Sequence, residues 1–257
     1  MSEKVTTQIC HSTPVDVFVR GKSLTKELIG SVTFTEMMFF QILGRMPTPA
    51  QTRVLDACLV TIMEHGLTPT AIAARMTYTS APEALQGAVA AGLLSVGSLF
   101  VGTMEGCAAL LTRIAGSDDH DAEAARIVLE HRGKKKRLPG FGHPVHRPDD
   151  PRTPKLLAIA ADAGVSGEHV EALHALSRAV DREMGKHLTI NATGAIAATL
   201  ADAGVPTEIM RGFAVVGRAA GLVGHIREEQ ERPAMQTIWR AGEEAVPFAP
   251  PPEEETP

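Results

Sequence analysis

The chain has 257 residues, of which 44% are apolar and 21% charged, the balance of an ordinary globular chain with length for one large domain or two small ones. A formal net charge of −5 argues against a general nucleic-acid binder, and the cysteines Cys10, Cys58 and Cys107 lie too far apart for a C-x-x-C pair, which argues against a disulfide framework or a zinc site. Reduced thiols in a cytoplasmic protein are expected. The start, MSEKVTTQIC, has no apolar signal core, and no apolar run is expected to reach the ~20 residues of a membrane span. Aromatics make up only 4%, so close-packed helices are favoured over a β-sandwich.

Val15, Val17 and Val19 alternate with Asp16 and Phe18 before Arg20-Gly21, which predicts a short strand-like arm. Phe34, Met37, Met38 and Ile42 then recur at helical intervals. Thr35 is placed to start that helix, and Gly44 ends it. Residues 50–63 read as an amphipathic helix through Val54, Leu55, Cys58, Leu59 and Ile62, ending at Glu64-His65-Gly66. A histidine before such a glycine ordinarily complements a helix C-terminus. Pro69 opens the next helix, and after Ser80-Ala81-Pro82 comes EALQGAVAAGLLSVGSLFVG, rich in Gly and Ala. Residues 104–114 and 121–132 continue as helices around the acidic loop Gly116 to Asp121.

The densest chemistry lies in GKKKRLPGFGHPVHRPDDPR, Gly133 to Arg152. Pro139, Pro144, Pro148 and Pro151 forbid one long helix. Gly140 and Gly142 let the backbone take positive φ or approach a ligand closely. The row Lys134, Lys135, Lys136 and Arg137 reads either as a solvated basic loop or as a site for phosphate or carboxylate. His143, pinned between Gly and Pro with Arg147 and Arg152 nearby, suits an acidic substrate. Beyond it, KLLAIAADAG, HVEALHALSRAVDREMG, LTINATGAIAATLADAG and TEIMRGFAVVGRAAGLVGHIREEQ read as helices, and VPFAPPPEEETP (246–257) as a disordered acidic tail. Few strands are expected after the arm.

GFGHPVHRPDDPR resembles the signature of the citrate synthase superfamily, and Gly140, Gly142, His143, Val145, Arg147, Asp150, Pro151 and Arg152 sit at the family's spacing. The resemblance extends over residues 15–240 and implies an all-α fold, a compact citrate synthase-like structure with a large helical domain and a small lid over roughly 134–215, paired as a homodimer. It implies that His143 polarises the substrate carbonyl or hydroxyl and that Arg152 clamps a carboxylate. EHG resembles the family's "DHG" turn, which makes His65 a carboxylate ligand. GRAAGLVGHI resembles the late helix whose arginine, here Arg218, grips a second carboxylate, although an Arg on a Gly/Ala-rich helix ordinarily faces solvent. GLLSVGSLFVGTMEG resembles the helix that carries a catalytic histidine in the synthases; Phe100 stands there, as in the citryl-CoA lyase branch.

One match departs from the pattern. The family expects "NVDG", with Asp as acid or base at the acyl carbon, where this chain has Asn191-Ala192-Thr193-Gly194. An alcohol is no carboxylate base near neutrality, and Glu64 and Asp181 are candidate substitutes for Thr193. The implied activity is reversible cleavage of a 3-hydroxy-3-carboxyacyl-CoA such as citryl-CoA to acetyl-CoA and a small 2-oxo acid such as oxaloacetate. The alternatives are a condensing acyltransferase and a catalytically silent CoA-binding dimer. Coenzyme A enters as part of the substrate. The resemblance places its phosphates at Lys134, Lys135, Lys136, Arg137 and Arg147, with its adenine near Leu138, Gly140, Phe141 and Gly142. No metal, nucleic-acid or membrane partner is implied.

Overall fold

The protein is described by a computed structural model covering residues 5–97 and 102–250. It is all-α in class, 64% helical with few strands. Strands β1 (Cys10–Ser12), β2 (Val17–Val19) and β3 (Lys22–Ser23) form one antiparallel sheet in the order β1-β2-β3, with Cys10 opposite Val19 and Val19 opposite Lys22. Only β2 was legible as alternation, because β1 and β3 are two or three residues long and largely polar. The arm is pinned by Asp16, whose carboxylate accepts from Ser23 Oγ at 2.5 Å, Thr25 Oγ1 at 2.9 Å and Val17 N at 2.7 Å.

Helix α1 (Phe34–Leu43) is started by Thr33 rather than Thr35. Thr33 accepts from Glu36 N while Glu36 accepts from Thr33 N, a reciprocal capping box, and Gly44 closes the helix at φ 73°. Thr35 lies inside the helix and donates to Asp56. Then follow α2 (Pro49–Met63), α3 (Pro69–Ser80, with Pro69 in its first turn as expected), α4 (Leu85–Leu94), α5 (Thr103–Ala115) and α6 (His120–Gly133). The second half holds α7 (Arg152–Asp162), α8 (Glu168–Met184), α9 (Ala192–Asp202), α10 (Met210–Glu231) and α11 (Met235–Ala245). Helix α11 was not anticipated, although Met235, Ile238 and Trp239 recur at helical spacing along it; its polar residues are mostly exposed. Residues 246–250 carry no regular structure, and the rest of the expected tail lies outside the described residues.

The chain forms two compact units, 1–62 with 98–214 and 63–97 with 215–257. In the first, α9 is the central element. Ala192 and then Gly194 to Leu200 are all buried, as a helix apolar on every side must be. Around it stand α5, α7 and α8, and α6 packs on α8. The apolar stripe of α5 (Met104, Cys107, Ala108, Leu111, Ile114) follows the helical period. Asp202, at the end of α9, caps α8 by accepting from Gly167 N at 2.7 Å, His169 N at 3.0 Å and Val170 N at 3.1 Å.

In the second unit α3 packs on α4, and α11 on α3. Gly92 permits this approach, since a Cβ there would lie 2.6 Å from Leu222 Cδ1 and 2.7 Å from the Thr70 carbonyl. By length and composition one helix, Thr207–Glu231, is apolar enough to cross a membrane, with mean hydropathy 1.2 over its best window. This corrects the expectation that no such run exists. The helix buries Met210, Phe213, Leu222 and Ile226 together with the charged Arg218 and Glu229, and 39% of that window is buried.

Cys58 and Cys107 are buried and Cys10 is exposed. Burial pushes the thiols of Cys58 and Cys107 up to about 12, leaving on the order of one in 10⁵ as thiolate at neutral pH. A thiol reagent at pH 8 should therefore modify Cys10 within minutes and Cys58 and Cys107 only in denaturant. Rapid native modification of all three, read by intact mass, would contradict this burial.

Candidate functional site

The segment between α6 and α7 begins with the cation row. Lys134, Lys135, Lys136 and Arg137 are all exposed, with Lys135 at φ 51° on the turn that leaves α6. Leu138 then buries its side chain, and Gly140 and Gly142 take φ 83° and 81°. The loop is stitched like a short strand to residues 189–191. Gly142 N donates to Thr189 O at 2.7 Å, Asn191 N to Gly140 O at 3.0 Å, and Asn191 Nδ2 to Gly142 O at 2.9 Å. Glycine is required on both sides of this contact. A Cβ on Gly194 would lie 2.6 Å from Gly140 O, and one on Gly140 would lie 2.5 Å from Cys107 Sγ.

His143 stands at the end of this loop. Its Nδ1 accepts from Val145 N at 3.1 Å and His146 N at 2.9 Å, so the neutral ring carries its proton on Nε2. His146 stacks on it with ring centroids 4.3 Å apart. Nε2 of His143 lies 3.4 Å from Nη2 of Arg152. Two donors thus converge, an arrangement suited to the oxygen of a carbonyl, alkoxide or carboxylate.

Arg152, the first residue of α7, is aimed by Asp150. Asp150 Oδ1 lies 2.9 Å from Arg152 Nε and Oδ2 lies 2.7 Å from its Nη2. Oδ1 also accepts from Arg152 N at 3.1 Å, and Oδ2 from Ala192 N at 3.0 Å. One buried carboxylate therefore caps the start of both α7 and α9. Burial alone would raise its pKa, but the guanidinium and amide donors outweigh burial and hold it at about 2. The helix accordingly starts at Arg152, three residues before the apolar run that announces it.

Thr193 sits in the first turn of α9. Its hydroxyl donates to Asn191 Oδ1 at 2.7 Å, so the 2.9 Å contact with Thr103 Oγ1 has Thr103 as donor. Asn191 Oδ1 also accepts from Gly194 N, at 3.1 Å, and so caps the helix. The carboxylates weighed as substitutes for the family Asp are engaged elsewhere. Asp181 holds His187 Nδ1 at 3.0 Å, while His187 Nε2 lies 3.1 Å from Asp149. The paired carboxylates Asp149 and Asp181 raise the pKa of His187. Glu64 Oε1 accepts from His65 N at 2.7 Å and Gly66 N at 2.5 Å.

In the second unit His65 is exposed on the turn after α2, and Arg218 is 4% exposed within α10. The general expectation that an arginine on such a helix faces solvent is thereby corrected. Phe100 lies outside the described residues, and Arg147 is exposed on the loop. Sequence reasoning quoted Asp150 only as a letter of the motif and missed Thr189 and Asn191 as the groups that hold the loop, and Thr103 as the partner of Thr193. Asn191 was findable, since Asn ahead of an apolar helix is a capping signal.

The Asp150 carboxyl, at about 2 in the fold against its ordinary 3.8, contributes stability that is present above pH ~4 and lost as pH falls through ~2, roughly 2 kcal/mol in all. Asp150→Asn should be less stable at pH 7 by about that amount or more, and its unfolding free energy should be flatter between pH 4 and 2. Equal slopes for the two proteins in denaturant titrations would refute the assignment.

A citrate synthase C-terminal domain model matches residues 20–242. A citrate synthase from Haloferax volcanii is 26% identical over 204 residues, covering 78% of this chain and 52% of that protein, and the chain spans about half the length of the curated relatives it matches. The solved citryl-CoA lyase of Hydrogenobacter thermophilus superposes with a TM-score of 0.87 at 31% identity, covering 99% of this chain and 98% of that one. The ATP citrate lyase of Methanosaeta concilii, solved with (3S)-citryl-CoA, superposes with a TM-score of 0.82 at 19% identity, over 99% of this chain and 43% of that one, and so shares the fold. Taken with the stitched glycine loop and the His143–Arg152 pair, these likenesses show that the chain belongs to the citrate synthase family.

Proposed function

We propose that this protein is a carbon–carbon lyase that reversibly cleaves a 3-hydroxy-3-carboxyacyl-CoA, with citryl-CoA as the representative substrate. The observation that carries the reading is the end-to-end likeness to a citryl-CoA lyase, 99% of this chain on 98% of that one. In cleavage the substrate hydroxyl loses its proton and its oxygen becomes the carbonyl of oxaloacetate. The bond from that carbon to the acyl carbon breaks, and the electron pair passes to the thioester enolate, which takes a proton to give acetyl-CoA. His143, through Nε2–H, stabilises the oxygen as it changes from alkoxide to carbonyl. Arg152, oriented by Asp150, holds a carboxylate through paired hydrogen bonds, and His65 and Arg218 hold the others. The exposed cations Lys134 to Arg137 and Arg147 meet the CoA phosphates, with Leu138, Gly140, Phe141 and Gly142 beside the adenine. Phe100, in place of the synthases' histidine, favours cleavage over condensation. The reading includes a homodimer, with a lid over roughly 134–215.

Thr193 has an alcohol where the family places a carboxylate, so the proton at the acyl carbon comes from another residue or from the substrate itself. The same departure favours the second reading, a silent CoA-binding dimer. Acetyl-CoA release from citryl-CoA, followed by mass, separates them. The lyase should turn over as wild type and retain measurable turnover as Thr193→Ala. Arg152→Ala should weaken substrate binding by roughly 2–5 kcal/mol. If wild type binds CoA but releases no acetyl-CoA, the second reading stands. Loss of most activity in a folded, CoA-binding Thr193→Ala would instead make the hydroxyl essential.

Replacing Lys134, Lys135 and Lys136 together by alanine should raise the CoA dissociation constant and flatten its salt dependence, as expected for exposed charge contacts. Calorimetry at two salt concentrations reads both. Unchanged values would reduce the row to a solvated loop.

A further inference from the structure

The second unit holds a chain of polar side chains that the mechanism above does not use. Arg75, on α3, is 2% exposed. Its Nε donates to His225 Nδ1 at 3.1 Å, its Nη1 to Glu229 Oε2 at 2.9 Å, and its Nη2 to Glu228. Because His225 Nδ1 accepts, the neutral ring carries its proton on Nε2, and that atom lies 2.9 Å from Glu64 Oε2. The other Glu64 oxygen takes the backbone N–H groups of His65 and Gly66. At the far end Glu229 Oε1 accepts from Ala234 N at 2.9 Å and Met235 N at 3.0 Å, which starts α11. Arg75 thus donates to His225, whose Nε2 makes a close polar contact with Glu64 that is not aligned as a hydrogen bond, and Glu64 in turn accepts from the turn that carries His65.

We propose that Arg75, His225 and Glu64 are positioning residues that fix the backbone of the His65 turn, and so the direction in which His65 meets a substrate carboxylate; this rests on the role of His65 proposed above. Three observations support it. Glu64 immediately precedes His65, and its side chain folds forward over the two following amides, so that turn and carboxylate move together. Gly66 is at φ 74°, a conformation with little intrinsic preference outside glycine, which leaves the turn dependent on what binds its amides. Arg75 and Glu229 are 2% and 4% exposed, and a buried ion pair is a poor route to stability, since an apolar cluster of the same volume serves as well. A network that specifies a geometry accounts for its presence better. Burial opposes ionisation of Glu64, yet the nearby His225 ring and the amide donors of His65 and Gly66 keep its pKa below the ordinary carboxylate value, consistent with a carboxylate held as an acceptor.

The test uses the whole protein with Glu64→Gln, His225→Leu and His225→Gln. Glu64→Gln keeps volume but replaces one acceptor oxygen by an amide N–H, which meets either His225 Nε2–H or the amides of His65 and Gly66. His225→Leu removes both contacts. His225→Gln restores an acceptor toward Arg75 and a donor toward Glu64. Amide hydrogen exchange across residues 63–68, without substrate, should rise in the first two and return toward wild type in the third. With citryl-CoA, KM should rise roughly tenfold in the first two, with kcat changed less than about threefold, and His225→Gln should recover most of the loss. Wild-type exchange and KM in Glu64→Gln overturn the proposal, as does a failure of His225→Gln to restore exchange while the protein remains folded. If wild type cleaves no citryl-CoA, the functional reading fails by itself, and the exchange measurement still decides whether the chain positions the turn. Should His225→Leu not fold, Glu64→Gln, nearly isosteric with the native residue, carries the decision.

Discussion

A single buried carboxylate holds the first unit's site together. Asp150 receives the Arg152 guanidinium on both oxygens, the amide of Arg152 and the amide of Ala192. A carboxylate with no solvent exposure is tolerable only when its acceptor capacity is filled, and here Arg152 supplies its side chain and its amide while Ala192 supplies an amide from the start of α9. The guanidinium is thereby aimed, α7 is started, and α9 is fixed against the loop that presents His143. Removing any one donor leaves the others to compensate a buried charge, so the geometry is held in an all-or-nothing way.

The close approach of Gly140 to Gly194 has a comparable consequence. Loop 138–142 and the start of α9 meet backbone to backbone, with no side chain between them to act as a soft spacer. Two positive-φ glycines give the loop its path, and Asn191 locks it from the side by holding the Gly142 carbonyl while capping α9. This backbone seam confines the loop to the path set by the helix it rests on. Such confinement suits a donor such as His143 Nε2–H, which must sit within a few tenths of an ångström of a developing charge to stabilise it.

Thr193 shows how a departure from a family pattern is absorbed. Its hydroxyl is inserted between Thr103 and Asn191, donating to one and accepting from the other. No buried polar atom is stranded by it, so the exchange of a carboxylate for an alcohol leaves the start of α9 well formed. The chemistry at this position changes while the architecture does not.

The sequence by itself determined the helical class, the order of most helices and the motif that carries His143, Asp150 and Arg152. These follow from apolar periodicity, from glycine and proline as local breakers, and from the spacing of a short signature, all of which act within a few residues. Thr35 was the wrong cap because capping depends on which hydroxyl meets which amide, a choice between neighbours that only the folded turn resolves. The small strands β1 and β3 were missed because their formation depends on partners rather than on their own pattern, whereas α11 carries a short helical spacing of Met235, Ile238 and Trp239 that was overlooked. Arg218 and Arg75 were equally illegible, since a charge on an apolar helix reads as solvated unless its surroundings are known. Only the tertiary structure decided that Asp150 orients Arg152, that Asn191 and Thr103 satisfy Thr193, and that Glu64 binds the His65 turn. Thr103 and Thr193, 90 positions apart, meet only because packed helices bring them together, and no local pattern encodes that distance.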